Sequence, residues 1–124
     1  MKILVVDESA TMRWVIINIL ERCGYTQIRE AKDGQEALYI QARDPVDVVI
    51  TDWFMKGMDG QTFIEKLRAG YGETLAILMV ATSLSRDDIK TAGKAGADNY
   101  IVRPFSPELL KAKLAGLTEQ VLSL

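Results

Sequence analysis

Six polar side chains directly follow short aliphatic runs of the sequence, and their types suit a metal ion and a phosphoryl group. They are Asp7, Glu8, Asp52, Thr82, Ser83 and Arg103. Three carboxylates held within a few ångströms of one another raise at least one carboxyl pKa unless a cation lies between them. A hard divalent ion is the simplest explanation for the three acids. Mg²⁺ suits them best, because it takes one or two carboxylates and often a phosphate oxygen.

A carboxylate beside a bound Mg²⁺ can also act as a nucleophile toward a phosphoryl group. The ion and a cationic side chain then offset the charge on the transferred oxygens. Any one of these acids alone is most often explained by a turn or a helix N-cap. Independent capping does not require a polar residue at every strand end along one edge, so we expect the six residues to form one site.

The composition excludes several other kinds of site. The 124 residues contain no histidine and one cysteine, Cys23, which removes imidazole metal sites, Ser-His-Asp nucleophiles and cysteine zinc sites. Fifteen Lys and Arg against 17 Asp and Glu form no basic stripe, so we expect no nucleic-acid binding. No apolar run approaches the ~20 residues that span a bilayer, and we expect no membrane contact. With a free thiol and no export signal, the expected compartment is the cytoplasm.

Strands and helices that would position these side chains alternate along the chain. Strands are predicted at Ile3–Val6, Gln27–Glu30, Val46–Thr51, Leu75–Ala81 and Tyr100–Val102. Helices are predicted from the N-cap Ser9 toward Gly24, from near Gly34 with Ala37, Leu38 and Ala42 inward, over Gly60–Ala69, from Ser85 to Gly96, and over Ser106–Val121. This alternation predicts one α/β domain, a doubly wound five-stranded parallel sheet with five helices. Ligands of such sheets bind at the carboxyl ends of the strands.

Four longer motifs carry a resemblance to a known family. They are L-V-V-D-E-S-A-T-M-R at Leu4–Arg13, E-A-K-D-G-Q-E-A-L at Glu30–Leu38, D-W-F-M-K-G-M-D-G at Asp52–Gly60, and A-G-A-D-N-Y-I-V-R-P-F at Ala95–Phe105. Together they resemble the receiver domains of two-component signalling, especially the single-domain chemotaxis regulators of the CheY type. The resemblance implies a flavodoxin-like strand order of 2-1-3-4-5, which is carried over from CheY. It also implies that residues 1–124 form a receiver domain without an output domain.

The resemblance implies roles for particular residues. Asp52 would accept a phosphoryl group from the phosphohistidine of a partner histidine kinase or phosphotransfer protein. Glu8, Asp52 and the main-chain carbonyl of Phe54 would hold Mg²⁺, and Asp7 would orient the waters of the ion. Tyr100 matches the family's switch aromatic. Phosphorylation would remodel the face made by helix 4, strand 5 and helix 5, which a protein target such as the flagellar motor switch reads.

The sequence departs from the family at three positions. Ala81 stands where the family has its switch hydroxyl, and Thr82 replaces that hydroxyl only if the strand ends or bulges there. Arg103 stands in place of the family's lysine; it keeps the charge and can bind a phosphoryl group with two N–H donors. Lys56, followed by Gly57, replaces a proline, which frees main chain that proline would fix.

The residues alone are compatible with several functions. The first is a phosphorylated receiver that binds Mg²⁺ and switches a protein target by population shift, with no enzyme activity of the ordinary kind. The second is a receiver-fold interaction module that phosphorylation does not switch, or a phosphate sink or relay. The third is a small Mg²⁺-dependent phosphohydrolase with Asp52 as nucleophile, which lacks an evident general acid. Phe54 and Ser83 occupy positions that tune dephosphorylation in the family, so we expect an unusual phosphate lifetime.

Overall fold

The computed structural model describes the backbone of residues 1–122 and the side chains of residues 1–117. The strands are β1 (Lys2–Val6), β2 (Gln27–Ala31), β3 (Val48–Thr51), β4 (Ala76–Ala81) and β5 (Asn99–Val102). The helices are α1 (Ala10–Arg22), α2 (Gly34–Arg43), α3 (Gly60–Tyr71), α4 (Arg86–Ala95) and α5 (Pro107–Leu122). None of the helices within residues 1–122 is both long enough and apolar enough to cross a membrane. The predicted alternation of strands and helices is confirmed.

All five strands lie parallel in one sheet in the order β2-β1-β3-β4-β5, which confirms the expected topology. The strand order reverses beyond β1, and the crevice at such a point is where sheets of this kind bind ligands. β1 pairs with β3 so that Val6 lies opposite Thr51. Because Asp7 and Asp52 are the next residues, this register places the two acids side by side.

The sheet is covered by helices on both faces. Ile3 and Val5 pack in one cluster with side chains of α1 and α5, whereas Leu4 and Val6 pack in another with side chains of α2, α3 and α4. β3 and β4 are buried at every position. A strand buried on both faces has no polar alternation, which explains why both were recognisable as unbroken aliphatic runs.

The predicted boundaries and inward positions were wrong at a few places. β3 begins at Val48, two residues after its predicted start, and the N–H of Val46 donates to Oε1 of Gln41 at 2.9 Å instead of to a neighbouring strand. Gln41 is 1% exposed and fills the inward position expected of Ala42, which is exposed. β4 begins at Ala76, and α3 runs past the predicted end into a short 3-10 helix, Gly72–Thr74, that was not predicted. Val121, the predicted last residue of the fifth helix, lies outside the residues whose side chains are described.

Gly60 allows α3 to begin directly against the loop that follows β3. Its N–H donates to the carbonyl of Trp53 at 3.0 Å. A Cβ atom at Gly60 would lie 2.8 Å from Cε3 and 2.9 Å from Cα of Trp53, with the Trp53 carbonyl oxygen nearer still. Real Cβ contacts are not that short, and the neighbouring atoms include main chain that cannot turn aside. The start of α3 is therefore tied to the main chain next to Asp52.

Gly60→Ala is expected to lower the free energy of unfolding by about 1–3 kcal/mol, because the added methyl group overpacks the contact with Trp53. The matched control is Gly70→Ala in the same helix, where an added Cβ meets nothing within 4 Å. That change should raise the free energy of unfolding by roughly 0.5–1 kcal/mol, since alanine is the better helix former. Urea denaturation measures both values, and equal effects of the two substitutions would contradict the close contact.

Candidate functional site

Asp7 and Asp52 each have one carboxylate oxygen held by the main chain that follows. Oδ1 of Asp7 accepts the N–H of Ser9 at 2.9 Å, and this aspartate is 3% exposed. Oδ1 of Asp52 accepts the N–H groups of Trp53 at 2.7 Å and of Phe54 at 3.3 Å. The contacts fix the planes of both carboxylates. They leave each Oδ2 oxygen to face the same cation.

That cation is the guanidinium of Arg103. Its Nη2 donates to Oδ2 of Asp7 and lies 3.7 Å from Oδ2 of Asp52. The same nitrogen lies 3.3 Å from the carbonyl oxygen of Val80. The side chain is 14% exposed, and its buried Nε has no hydrogen-bond partner among the residues that the structure describes. Arg103 thus supplies a cation between the two acids, as their proximity requires.

Arg103 does not fully neutralise the site. Burial raises the pKa of Asp52 above its ordinary value, and the negative charge of Asp7 raises it further. The guanidinium of Arg103 and the N–H groups of Trp53 and Phe54 act in the opposite direction. The net pKa remains raised, so the ionised form of Asp52 is disfavoured in this site. A second cation would stabilise it.

Glu8 is turned toward the loop after β3 instead of toward Arg103. Its Oε1 accepts the N–H of Lys56, and both residues line an open cleft of about 470 Å³ together with Trp53 and Phe54. A proline at position 56 would have no N–H to donate. Among the side chains of residues 1–117, no three acidic or thiol groups are gathered into a ready-formed metal site.

The donor groups at this edge nevertheless fit Mg²⁺. Asp7, Glu8 and Asp52 supply hard carboxylate oxygens, the ligand type that Mg²⁺ prefers. The carbonyl of Phe54 accepts no hydrogen bond from the described part of the chain. The raised pKa of Asp52 adds an electrostatic reason for a second cation to bind here. For Glu8 to be a ligand, its carboxylate has to come closer to Asp7 and Asp52 than it is here.

The other predicted residues lie around this cluster. Ala81 is the buried last residue of β4, and Thr82 and Ser83 follow it in exposed positions. The strand therefore ends before Thr82, which is the condition for its hydroxyl to replace the missing one. Tyr100 on β5 is 37% exposed, and Nζ of Lys113 lies 5.6 Å from the centre of its ring. The roles of Ala81, Thr82 and Tyr100 in switching, and of Ser83 in dephosphorylation, remain predictions.

Two contacts of the site were not found from the sequence. Arg13 donates to the main-chain carbonyl of Asp7, and Lys56 donates its main-chain N–H to Glu8. Main-chain donors and acceptors are present at every residue, so residue types do not reveal such contacts. For Lys56, the one available signal was its place in the loop where the resembling family has proline.

The sequence matches the response regulator receiver domain over residues 3–115. The chain belongs to this family. The chemotaxis protein CheY homolog of Campylobacter jejuni is 46% identical to this receiver domain over 116 residues, which are 92% of this chain and 89% of that protein. The chemotaxis protein CheY of Pseudomonas aeruginosa is 40% identical over 122 residues, which are 98% of each chain.

Comparison with solved structures also shows similarity to CheY proteins. The chemotaxis protein CheY4 of Vibrio cholerae superposes on this receiver domain with a TM-score of 0.88 and 32% sequence identity, over 94% of this chain and 97% of that one. The receiver domain is therefore CheY-like in both sequence and fold, as predicted. Receiver domains are signalling regulators of two-component systems, not classical enzymes, and they generally use Mg²⁺ at the phosphorylation site.

Asp52→Asn is expected to stabilise the metal-free receiver domain at neutral pH. The folded state holds the proton of Asp52 more tightly than the unfolded state, so stability falls as pH rises from 3.8 through the raised pKa. Asparagine does not ionise and avoids that loss. Urea denaturation from about pH 4 to about pH 7 should show the advantage of the variant growing with pH.

Asp59→Asn provides the matched control. Hydrogen bonds from Thr62 lower the pKa of Asp59, so the ionised carboxylate stabilises the fold, and this contribution is lost as pH falls. The disadvantage of this variant should therefore grow with pH, opposite in sign to the effect of Asp52→Asn. The same pH dependence in both variants would contradict the raised pKa of Asp52.

Proposed function

We propose that this protein is a Mg²⁺-dependent phosphoacceptor whose Asp52 is phosphorylated by a histidine kinase or phosphotransfer protein in the cytoplasm. Phosphorylation then changes its affinity for a protein target in chemotaxis, such as the flagellar motor switch. Residues 1–124 act in this proposal as a receiver domain. One observation carries the proposal: Asp52 is a mostly buried carboxylate at the switch point of the sheet, beside a second acid and one guanidinium.

The orientation of Asp52 supports its role as the nucleophile. Two N–H groups hold Oδ1, so Oδ2 is the oxygen left to bond to phosphorus. The O–P bond forms as the P–N bond of the donor phosphohistidine breaks, and the leaving imidazole takes up a proton. When bound, Mg²⁺ supplies positive charge beside the transferred oxygens.

Arg103 is placed to bind the phosphoryl group on Asp52. Its Nη2 is already 3.7 Å from Oδ2 of Asp52, and the unpartnered Nε leaves a second donor for a phosphoryl oxygen. A guanidinium can bind two such oxygens at once, which the single ammonium of lysine does less rigidly. In this proposal Arg103 turns from Asp7 and Asp52 toward the phosphoryl group.

The connection between Arg103 and β5 supports a target surface on α4, β5 and α5. The N–H of Arg103 donates to the carbonyl of Ala81 at 2.8 Å, which joins the ends of β4 and β5. Exposed apolar side chains lie just before and after it along the chain, on β5 and α5: Tyr100, Val102 and Leu109. A shift of Arg103 therefore acts first on the part of the chain that carries this apolar surface. Target affinity then follows from a shift between two arrangements of that surface.

Intact mass spectrometry tests the proposed function. After incubation with Mg²⁺ and a small acyl phosphate, the wild-type protein should gain one phosphoryl group, and Asp52→Asn should gain none. Omission of Mg²⁺ should abolish the gain. A gain in Asp52→Asn would place the acceptor elsewhere. No gain in the wild type would favour the interaction module, and repeated turnover of phosphoesters would favour a phosphohydrolase.

Arg103→Met is expected to tighten Mg²⁺ binding about 10-fold, because it removes a cation that is bonded to Asp7 and lies 3.7 Å from Asp52. The fluorescence of Trp53, which is next to Asp52 and largely buried, reports binding in a Trp14→Phe background, since Trp14 is exposed. Arg29→Met is the matched control: it removes the same charge from β2, where Arg29 pairs with Asp44. Equal Mg²⁺ affinities of the two variants would contradict competition between Arg103 and the ion.

A further inference from the structure

We infer that Arg13 is a positioning residue that orients the two consecutive acids Asp7 and Glu8, an inference that rests on the proposed Mg²⁺-dependent function of the site. Arg13 lies near the start of α1, and its guanidinium turns back toward the end of β1. Nη1 donates to the carbonyl of Asp7 at 2.7 Å and lies 3.4 Å from the carbonyl of Glu8. The two carbonyls belong to Asp7, whose side chain faces Arg103 in the site, and to Glu8, whose side chain would have to join it.

A second contact holds the guanidinium from the neighbouring strand. Nε of Arg13 donates to Oε1 of Glu30 on β2 at 2.8 Å, and the Arg13 side chain is 16% exposed. Next to Glu30, the carbonyl of Ala31 accepts the N–H of Asp7 at 3.1 Å. Both main-chain polar groups of Asp7 are thereby connected to β2. The N–H bonds to it directly, and the carbonyl is connected to it through Arg13. The turn between β1 and α1 cannot rotate without breaking these contacts.

Helix stability does not account for this placement of Arg13. A cation near a helix N-terminus meets the positive end of the helix dipole, which is unfavourable. Capping is already provided, because Oγ of Ser9 accepts the N–H of Met12 at 3.1 Å. The charge of Arg13 by itself also opposes Mg²⁺, since like charges repel. Its benefit to the site therefore lies in the orientation that its planar, forked donors impose on the turn.

Arg13→Lys separates orientation from charge, because lysine keeps the charge but loses the fork. The expected result is Mg²⁺ binding about 10-fold weaker by Trp53 fluorescence in the Trp14→Phe background, as is usual when a group that orients metal ligands is removed. Arg29→Lys is the control, since Arg29 on β2 pairs with Asp44 and contacts neither Asp7 nor Glu8. It should leave Mg²⁺ affinity unchanged.

Amide hydrogen exchange tests the same inference without metal. The N–H of Ser9 donates to Oδ1 of Asp7, so it should exchange faster in Arg13→Lys and at the wild-type rate in Arg29→Lys. Glu30→Gln is a second variant whose exposed site tolerates change; it removes the charged partner of Nε and should weaken Mg²⁺ binding less, in the same direction. Urea denaturation identifies any variant whose fold is compromised.

The outcomes distinguish this inference from the proposed function. Unchanged Mg²⁺ affinity and unchanged Ser9 exchange in Arg13→Lys would overturn it. Tighter Mg²⁺ binding in Arg13→Met, with Arg13→Lys like the wild type, would show that Arg13 acts through charge alone and would also overturn it. If the wild type binds no Mg²⁺, the proposed function fails, and the exchange rate of Ser9 in metal-free protein then decides whether Arg13 positions the turn.

Discussion

Two carboxylates at the ends of neighbouring parallel strands repel each other unless a cation lies between them. The pairing of β1 with β3 brings Asp7 and Asp52 into that position, and Arg103 reaches them from the end of β5, across the end of β4. The strand order that brings the two acids together therefore also has to bring a cation to them. An isolated acid or an isolated arginine at this mostly buried edge would carry the full cost of burial.

Arg103 does not fully offset the effect of burial and of Asp7 on Asp52, and this supports the proposed function. The pKa of Asp52 stays raised despite Arg103, so a metal ion or a phosphoryl group with its own cation has an electrostatic reason to bind. Arg103, which directly follows β5, also bonds to the end of β4 through its side chain and its N–H. In the proposed function, these bonds couple chemistry at Asp52 to the strands that carry the proposed target surface. Glu8, held by Lys56, is the acid that has to move for it to join the site.

The parts of the structure that depend on side-chain type were predictable from the sequence. Strands buried on both faces give unbroken aliphatic runs, and parallel strands end at one edge, so β4 and the proximity of Asp7 to Asp52 followed directly. Gln41 was missed because an amide is expected at the surface, whereas here it is buried by bonding to the N–H of Val46. The contacts of Glu8 and Arg13 were missed for a related reason: their partners are main-chain groups, which carry no sequence signal.

A crystal structure of the protein with Mg²⁺ and beryllium fluoride, a stand-in for the phosphoryl group, tests the central claim most directly. We expect beryllium bonded to Oδ2 of Asp52, Mg²⁺ among Asp7, Glu8, Asp52 and the Phe54 carbonyl, and Arg103 bonded to the fluorides. Arg103 still bonded to Asp7 beside an unmodified Asp52, at concentrations of the analogue that saturate other receiver domains, would contradict it.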